Sequence, residues 1–333
     1  MTVVLGVDGG GRNTAAAVAD ASGALLGMGF SGGSNWEIVG LADAFAHIAS
    51  ASDAALGEAG VARADLDASA FGLAGIDWPQ DVERLEAGIG PLGFGGHRRL
   101  VNDAFVALRA GSPQAWGVVV IAGTGTITAG RNPAGEEFRT LGQGRVFGDF
   151  GSEFDVSELA VRAVADAYTG RGPSTMLTEL LCERTGAATP IDLLERIARA
   201  DTRLRSPEVS NMAPLVLQAT EAGDLVARGI LEEIGQALGE TAGLVGSRLG
   251  MLDLDFPVVL AGGLFRTPNR YLLDQLELGV RRAAPLAHTM LLDAPPVVGS
   301  VLIALELASS TIVAGVGHLL ASAINRRLLD DRG

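Results

Sequence analysis

Short runs of β-branched and other apolar residues, each stopped by glycine or an acidic residue, dominate the first third of the chain. Residues 3–7 read as a buried strand, 8–13 as a turn, 14–19 as a second strand and 25–30 as a third, so the chain opens with a β-meander. A loop at 32–40 leads into a helical pattern over 41–59, a strand over 67–73, a helix over 80–88 and an apolar run at 99–101. The order βββαβαβα predicts a mixed sheet with helices packed on it. Residues 118–121, β-branched throughout, read as a strand buried on both faces. Helical spacing dominates afterwards, over 153–168, 174–185, 190–200, 209–222 and 224–249. A buried-type strand within 256–267, a strand at 290–292, a helix after Pro295-Pro296 and a last amphipathic helix ending at Arg326-Arg327 complete the pattern.

Three of these strands end in glycine: Gly9–Gly11, Gly123–Gly125 and Gly262–Gly263. Glycines there let the backbone turn and let another group approach the main chain, and a strand-to-glycine turn suits phosphate oxygens. One such turn is an ordinary hairpin feature; three suggest duplicated half-domains facing one cleft. Asp8, before the first glycines, suits a metal-bound water, since Mg²⁺ prefers carboxylates and keeps part of its hydration; it equally suits a tight turn. Asp103 follows a short apolar run and opens the segment 104–109, where it fits either a base for phosphoryl transfer or a helix N-cap. Asn35 suits a turn or cap. Asp149, between glycines ahead of a helix, suits hydroxyl recognition or capping.

With 333 residues, 48% of them hydrophobic and 19% charged, the chain has room for two globular domains. A net charge of -14 argues against a nucleic-acid partner. Cys182 is the only cysteine, which excludes an intramolecular disulfide and any multi-cysteine metal site, and leaves a buried, inert thiol as its expected role. Met1 leads straight into Val3-Val4-Leu5 with no basic segment or long apolar core, and the apolar stretch 301–323 is broken by Glu306 and His318. A cytoplasmic protein with no membrane span is expected.

These residues, in this order, resemble the N-acetylglucosamine kinase branch of the BadF/BadG/BcrA/BcrD ATPase family, within the actin–hexokinase–Hsp70 superfamily. The resemblance spans nearly the whole chain. It implies an α/β fold of two ribonuclease-H-like domains of the actin/hexokinase type with an interdomain cleft: an N-terminal domain over 1–114 joined by a C-terminal helix over 315–333, and a larger, helix-rich domain over 115–314. G-V-D-G-G-G looks like a first phosphate loop, which places Gly9, Gly10, Gly11, Arg12, Asn13 and Thr14 at ATP, with Asp8 reaching Mg²⁺ through water. I-A-G-T-G-T looks like a second, with Gly123, Thr124, Gly125 and Thr126, and A-G-G-L-F, with Gly262 and Gly263, is similar to an adenosine loop. P-P-V-V-G-S-V-L-I-A-L looks like the family's closing signature.

In the family N-D-A supplies the catalytic base, here Asp103, beside Asn102. By the same resemblance Asn35, Trp36, Gly75, Gly142, Gln143, Gly144 and Asp149 would contact the sugar. Four positions depart from the pattern: Arg12 replaces a Thr, Asn13 a Lys or Arg, Phe150 the Glu of G-D-E-G-S, and Gln143 the Trp of Gly-Trp-Gly. The implied activity is ATP- and Mg²⁺-dependent phosphorylation of an amino sugar, N-acetylglucosamine or glucosamine, to its 6-phosphate, by a homodimer. Two alternatives on the same fold are a non-catalytic sugar or nucleotide sensor and a partner-activating ATPase. A lone Cys182 does not supply the cluster ligands of the family's dehydratase activators, nor the zinc motif of repressor-type sugar kinases.

Overall fold

The computed structural model describes residues 2–199, 212–309 and 315–330. The parts of the expected helices at 200, 209–211 and 331–333, and the expected domain boundary at 314, lie outside them. The chain divides into two compact units, Met1–Val119 with Met290–Gly333, and Val120–Thr289.

The first unit opens with β1 (Val3–Gly9), β2 (Asn13–Asp20) and β3 (Leu25–Gly32), an antiparallel meander. Then come α1 (Trp36–Val39), α2 (Leu41–Ala59), β4 (Ala68–Leu73), α3 (Pro79–Ile89), β5 (His97–Asn102) and α4 (Asp103–Gly111). The sheet order is β3-β2-β1-β4-β5, with β4 and β5 parallel to β1. Both faces of β1 are covered, which is why its apolar run is continuous. Leu5 and Val7 pack with Ile48, Phe71 and Leu85 on one face. Val4 packs with Ala70, Val106 and Val301 on the other. Each such side chain taken wholly out of water stabilises the fold by about 1.5–3 kcal/mol.

The second unit is built on the order β10-β9-β6-β7-β8. It comprises β6 (Gly117–Ala122), β7 (Thr126–Arg131), β8 (Glu137–Arg139), α5 (Glu153–Thr169), α6 (Leu177–Thr185), α7 (Pro190–Arg199), α8 (Ala213–Glu221), α9 (Leu225–Arg248), β9 (Pro257–Ala261), α10 (Arg270–Ala283) and β10 (His288–Leu291). The unit boundaries fall within β6 and β10. Strands β7 and β8 are not among the elements read from the apolar pattern, and β8, with three residues, is too short to show alternation. The 24-residue α9 lies against α10 through small residues: a Cβ on Gly235 or Gly239 would stand 2.3 or 2.2 Å from the carbonyl oxygens of Leu272 and Leu276. Cys182, on α6, is half-buried rather than enclosed, and its thiol is pushed up by burial and by the Asp192 carboxylate.

The chain closes with α11 (Val297–Ala308) and α12 (Val316–Asp330), both in the first unit. The expected domain over 115–314 includes α11, which lies in the first unit. Every residue from Val297 to Leu305 is buried, and the helix runs across β1 and α4. A Cβ on Gly6 would stand 2.3 Å from the Val301 nitrogen, and one on Gly299 1.8 Å from the Val106 carbonyl oxygen. Glycines at both points allow backbone to lie on backbone. The Ser300 hydroxyl then donates to the Val7 carbonyl oxygen at 2.8 Å. Among the described residues no helix is long and apolar enough to cross a membrane.

Candidate active site

The parallel register of the first sheet sets Gly9 beside Leu73, and Leu73 beside Asn102. The carboxyl ends of β1, β4 and β5 therefore share one edge, which carries Asp8, the 74–77 loop and Asp103. Open α/β sheets bind ligands at that edge. Asp8 is held up to about 7 from 3.8, first by burial and then by the Asp103 carboxylate.

The segment 33–35 is fastened onto the first glycine loop. The Gly10 carbonyl oxygen accepts from Ser34 N at 2.9 Å and Asn35 N at 3.2 Å, and the Gly10 N–H donates to the Asn13 carbonyl oxygen at 3.0 Å. Thr14, which the resemblance places at ATP, sits at the start of β2. It is fully buried, its hydroxyl donating to the Gly32 carbonyl oxygen at 2.7 Å and lying 2.9 Å from the Ser34 hydroxyl, so it ties this segment to β2. Arg12 and Asn13 are exposed.

Asn35, Trp36 and Gly75, distant in sequence, meet here. The Trp36 indole N–H donates to the Gly75 carbonyl oxygen at 2.8 Å. Gly75 has φ +84, and a Cβ on it would stand 2.9 Å from Asn35 Oδ1 and 3.0 Å from Trp36 Nε1. Asn35 Oδ1 also accepts from Glu37 N, which caps α1, and the Arg84 guanidinium covers the Trp36 ring at 4.6 Å.

The choice left open for Asp103 is answered by its neighbour. Asn102 caps α4: its Oδ1 accepts from Ala104 N at 3.0 Å, and Asp103 is the first helical residue. The Asn102 amide donates to the Ile76 carbonyl oxygen at 3.2 Å and to Asp77 Oδ1 at 3.4 Å, so this nearly enclosed side chain joins two loops. Asp103 keeps partial exposure, at a helix N-terminus that favours negative charge. Gly72 lets α4 sit this close: a Cβ there would stand 2.5 Å from Val106. Asp77 was not singled out from the sequence, and nothing in I-D-W-P marks it. The neighbouring Asp81, 2% exposed, accepts from the N–H groups of Asp77 and Trp78 at 3.1 and 2.8 Å and so starts α3.

In the second unit, Gly123 N donates to the Gly125 carbonyl oxygen at 2.9 Å across the β6–β7 turn. Thr126 is buried, its hydroxyl donating to the Ile121 carbonyl oxygen at 2.9 Å, while Thr124 is exposed. Gly10, Gly123 and Gly125 have no positive φ. A Cβ on Gly10 or Gly123 would have its nearest neighbour at 3.7 or 3.9 Å, and on Gly125 none within 4 Å among the described residues. Neither backbone conformation nor packing requires glycine at these three places. What a side chain would cover is bare main chain, as a phosphate cradle needs. Gly262 differs: φ is +104, and a Cβ would stand 2.3 Å from the Ala122 carbonyl oxygen, so the end of β9 lies directly on the end of β6.

A separate loop of this unit joins Gly142, Gln143 and Gly144 to Asp149. Asp149 is 5% exposed, its Oδ2 accepts from Gln143 N at 2.9 Å, and its own N–H reaches the Gly144 carbonyl oxygen at 3.3 Å. Gly142 and Gly144 have φ of +69 and +83. Phe150 carries the Arg145 guanidinium over its ring at 4.7 Å. Sequence reasoning also passed over Glu153, whose backbone N–H donates to the Gly123 carbonyl oxygen at 2.8 Å.

Among the described residues no three His, Cys, Asp or Glu side chains form a metal cage. A single carboxylate such as Asp8 fits Mg²⁺, which is usually held by one or two carboxylates, water and substrate phosphates.

The model of the BadF/BadG/BcrA/BcrD ATPase family matches residues 5–304. The N-acetylmuramic acid/N-acetylglucosamine kinase of Clostridium acetobutylicum is 29% identical over 304 residues, 91% of this chain and 98% of that protein. The N-acetyl-D-glucosamine kinase of Dictyostelium discoideum is 28% identical over 314 residues, with the same coverage of 91% and 98%. A crystal structure from Chromobacterium violaceum, provisionally designated an N-acetylglucosamine kinase, superposes with a TM-score of 0.67 at 27% identity, covering 93% of this chain and 99% of that one.

Proposed function

We propose, for a chain that belongs to the BadF/BadG/BcrA/BcrD ATPase family, that its reaction is transfer of the γ-phosphoryl group of ATP to an amino sugar, N-acetylglucosamine or glucosamine. The fold is that of sugar kinases, and the relatives similar over nearly their whole length are amino-sugar kinases. The observation that carries the reading to residues is the Asn102–Asp103 pair. Asn102 takes over capping, and Asp103 remains at the sheet edge beside Asp8.

Asp103 accepts the proton of the sugar's primary hydroxyl as that oxygen attacks phosphorus, which leaves the product as the 6-phosphate. Asn35, Trp36 and Gly75 orient the sugar, with Gly142–Gly144 and Asp149 as further contacts. Bare main chain at Gly10, Gly123 and Gly125 lets phosphate oxygens approach the turns, the Gly10 and Gly123 N–H groups being already bonded within them, and Arg12 adds charge where the family has a hydroxyl. Mg²⁺, held through water by Asp8, offsets negative charge on the phosphates when bound. Asn102, Thr14 and Thr126 are enclosed, so they position these groups rather than touch substrate.

Asp103→Asn tests the assignment. We expect a loss in kcat on the order of a thousandfold with sugar affinity retained. Near-normal turnover in that variant would remove Asp103 from the role of base.

A further inference from the structure

Glu153 is an acidic residue set among loops read as nucleotide-binding, and phosphoryl transfer as described makes no use of it. It is the first residue of α5, yet it does not cap that helix. Ser152 and Asp155 do so reciprocally, with Asp155 N donating to Ser152 Oγ at 3.1 Å and Ser152 N to Asp155 Oδ2 at 2.8 Å. Its carboxylate approaches Gly263 through one oxygen: a Cβ there would stand 1.8 Å from Oε1, 2.9 Å from Cδ and 3.5 Å from Oε2. Gly263 has no positive φ, and the atoms nearest a Cβ there all belong to the end of the Glu153 side chain. Among the described residues that half-exposed carboxylate has neither an ion pair nor a side-chain hydrogen bond, so its acceptor sites are open to solvent or to a ligand.

Glu153 thus links two loops: its N–H is bonded to the Gly123 carbonyl oxygen and its carboxylate rests on Gly263. On the proposed reading phosphates occupy the first loop, and the family resemblance would put adenosine at the second. In a nucleotide, the part joining these two is the ribose. A carboxylate repels phosphate but accepts hydrogen bonds from a pair of neighbouring hydroxyls, the arrangement by which an acidic residue holds ribose elsewhere. The helix N-terminus favours charge at Glu153 but does not explain why the side chain turns onto Gly263.

We infer that Glu153 binds the 2′- and 3′-hydroxyls of the nucleotide ribose and makes the protein selective for ribonucleotides over deoxyribonucleotides. The inference rests on the kinase reading for the position of ATP.

Calorimetric titration with Mg·ADP and Mg·2′-deoxyADP, without sugar, tests it in the wild type, Glu153→Gln and Glu153→Ala. The wild type should prefer ADP by roughly tenfold or more, as expected for hydrogen bonds to a charged acceptor. Glu153→Ala should bring the ratio close to one by weakening ADP alone, with Glu153→Gln in between. An unchanged ratio across the three proteins overturns the ribose assignment, as does equal tightening of both nucleotides in the variants. Failure of the wild type to bind either nucleotide overturns the kinase reading, and this inference with it. The wild-type ratio alone is informative if a variant fails to fold.

Discussion

Replacing Asp8 with Asn should stabilise the protein at high pH while abolishing the proposed phosphoryl transfer. Asp8 titrates near 3.8 in an unfolded chain and near about 7 in the folded one, raised by burial and by Asp103. Below 3.8 both states are protonated and the group contributes nothing. Between 3.8 and about 7 the unfolded chain releases its proton while the folded chain holds it, so folding becomes progressively less favourable. Above 7 the penalty is complete. At about 1.4 kcal/mol per pH unit, that interval corresponds to about 4 kcal/mol at most, and partial solvent access reduces it to roughly 2–4 kcal/mol. Urea denaturation of the wild type and Asp8→Asn, in chelator, would be followed at pH 4.5 and pH 8. The variant should match the wild type at the lower pH and exceed it by a few kcal/mol at the higher one. Equal destabilisation at both would show that Asp8 is held by favourable hydrogen bonds rather than penalised by burial, and the site would need another electrostatic description.

Three further outcomes follow from the same geometry. Gly125→Ala should leave stability within about 0.5 kcal/mol of wild type while raising the KM for ATP, since neither φ nor packing requires that glycine; a large fall in Tm with normal kinetics would contradict the cradle. Gly75→Ala places a side chain at φ +84 against Asn35 and Trp36. It should cost about 1–3 kcal/mol in a melt and raise the KM for sugar more than that for ATP, whereas an effect on ATP alone would move the sugar elsewhere. Arg12→Ala should raise the KM for ATP more than that for sugar, and an unchanged ATP KM would turn Arg12 away from the phosphates.

Much of the fold was legible because burial leaves a period. The opening meander, the double-buried β6 and the long α9 are read directly from their apolar spacing. What period cannot tell is the neighbour of a buried element. The stretch that forms α11 is apolar on every side, so its sequence marks it as core without saying whose. Only the fit of Gly299 on Val106 and of Gly6 on Val301 assigns it to the first unit. The glycine turns and Asp103 were visible as residue types in order. The division of labour inside them was not: Thr14 and Thr126, set at ATP by the resemblance, have hydroxyls that donate to main-chain carbonyls. Asp103 could be base or cap until the geometry gives the capping to Asn102, which the sequence did not mark for it. Glu153 carries no signal at all, since an acid in the first turn of a helix is ordinary, and its meaning comes from Gly263, over a hundred residues away in sequence.

Sugar-dependent phosphoryl transfer is tested directly by ADP release from Mg·ATP by the wild-type protein. The panel is N-acetylglucosamine, glucosamine, N-acetylmannosamine, N-acetylmuramic acid, glucose and no sugar. Strong stimulation by N-acetylglucosamine or glucosamine over the blank is the result expected. Equal turnover in every tube, blank included, would make the protein a partner-directed ATPase, and ATP binding with no turnover in any tube would make it a sensor; either contradicts the account.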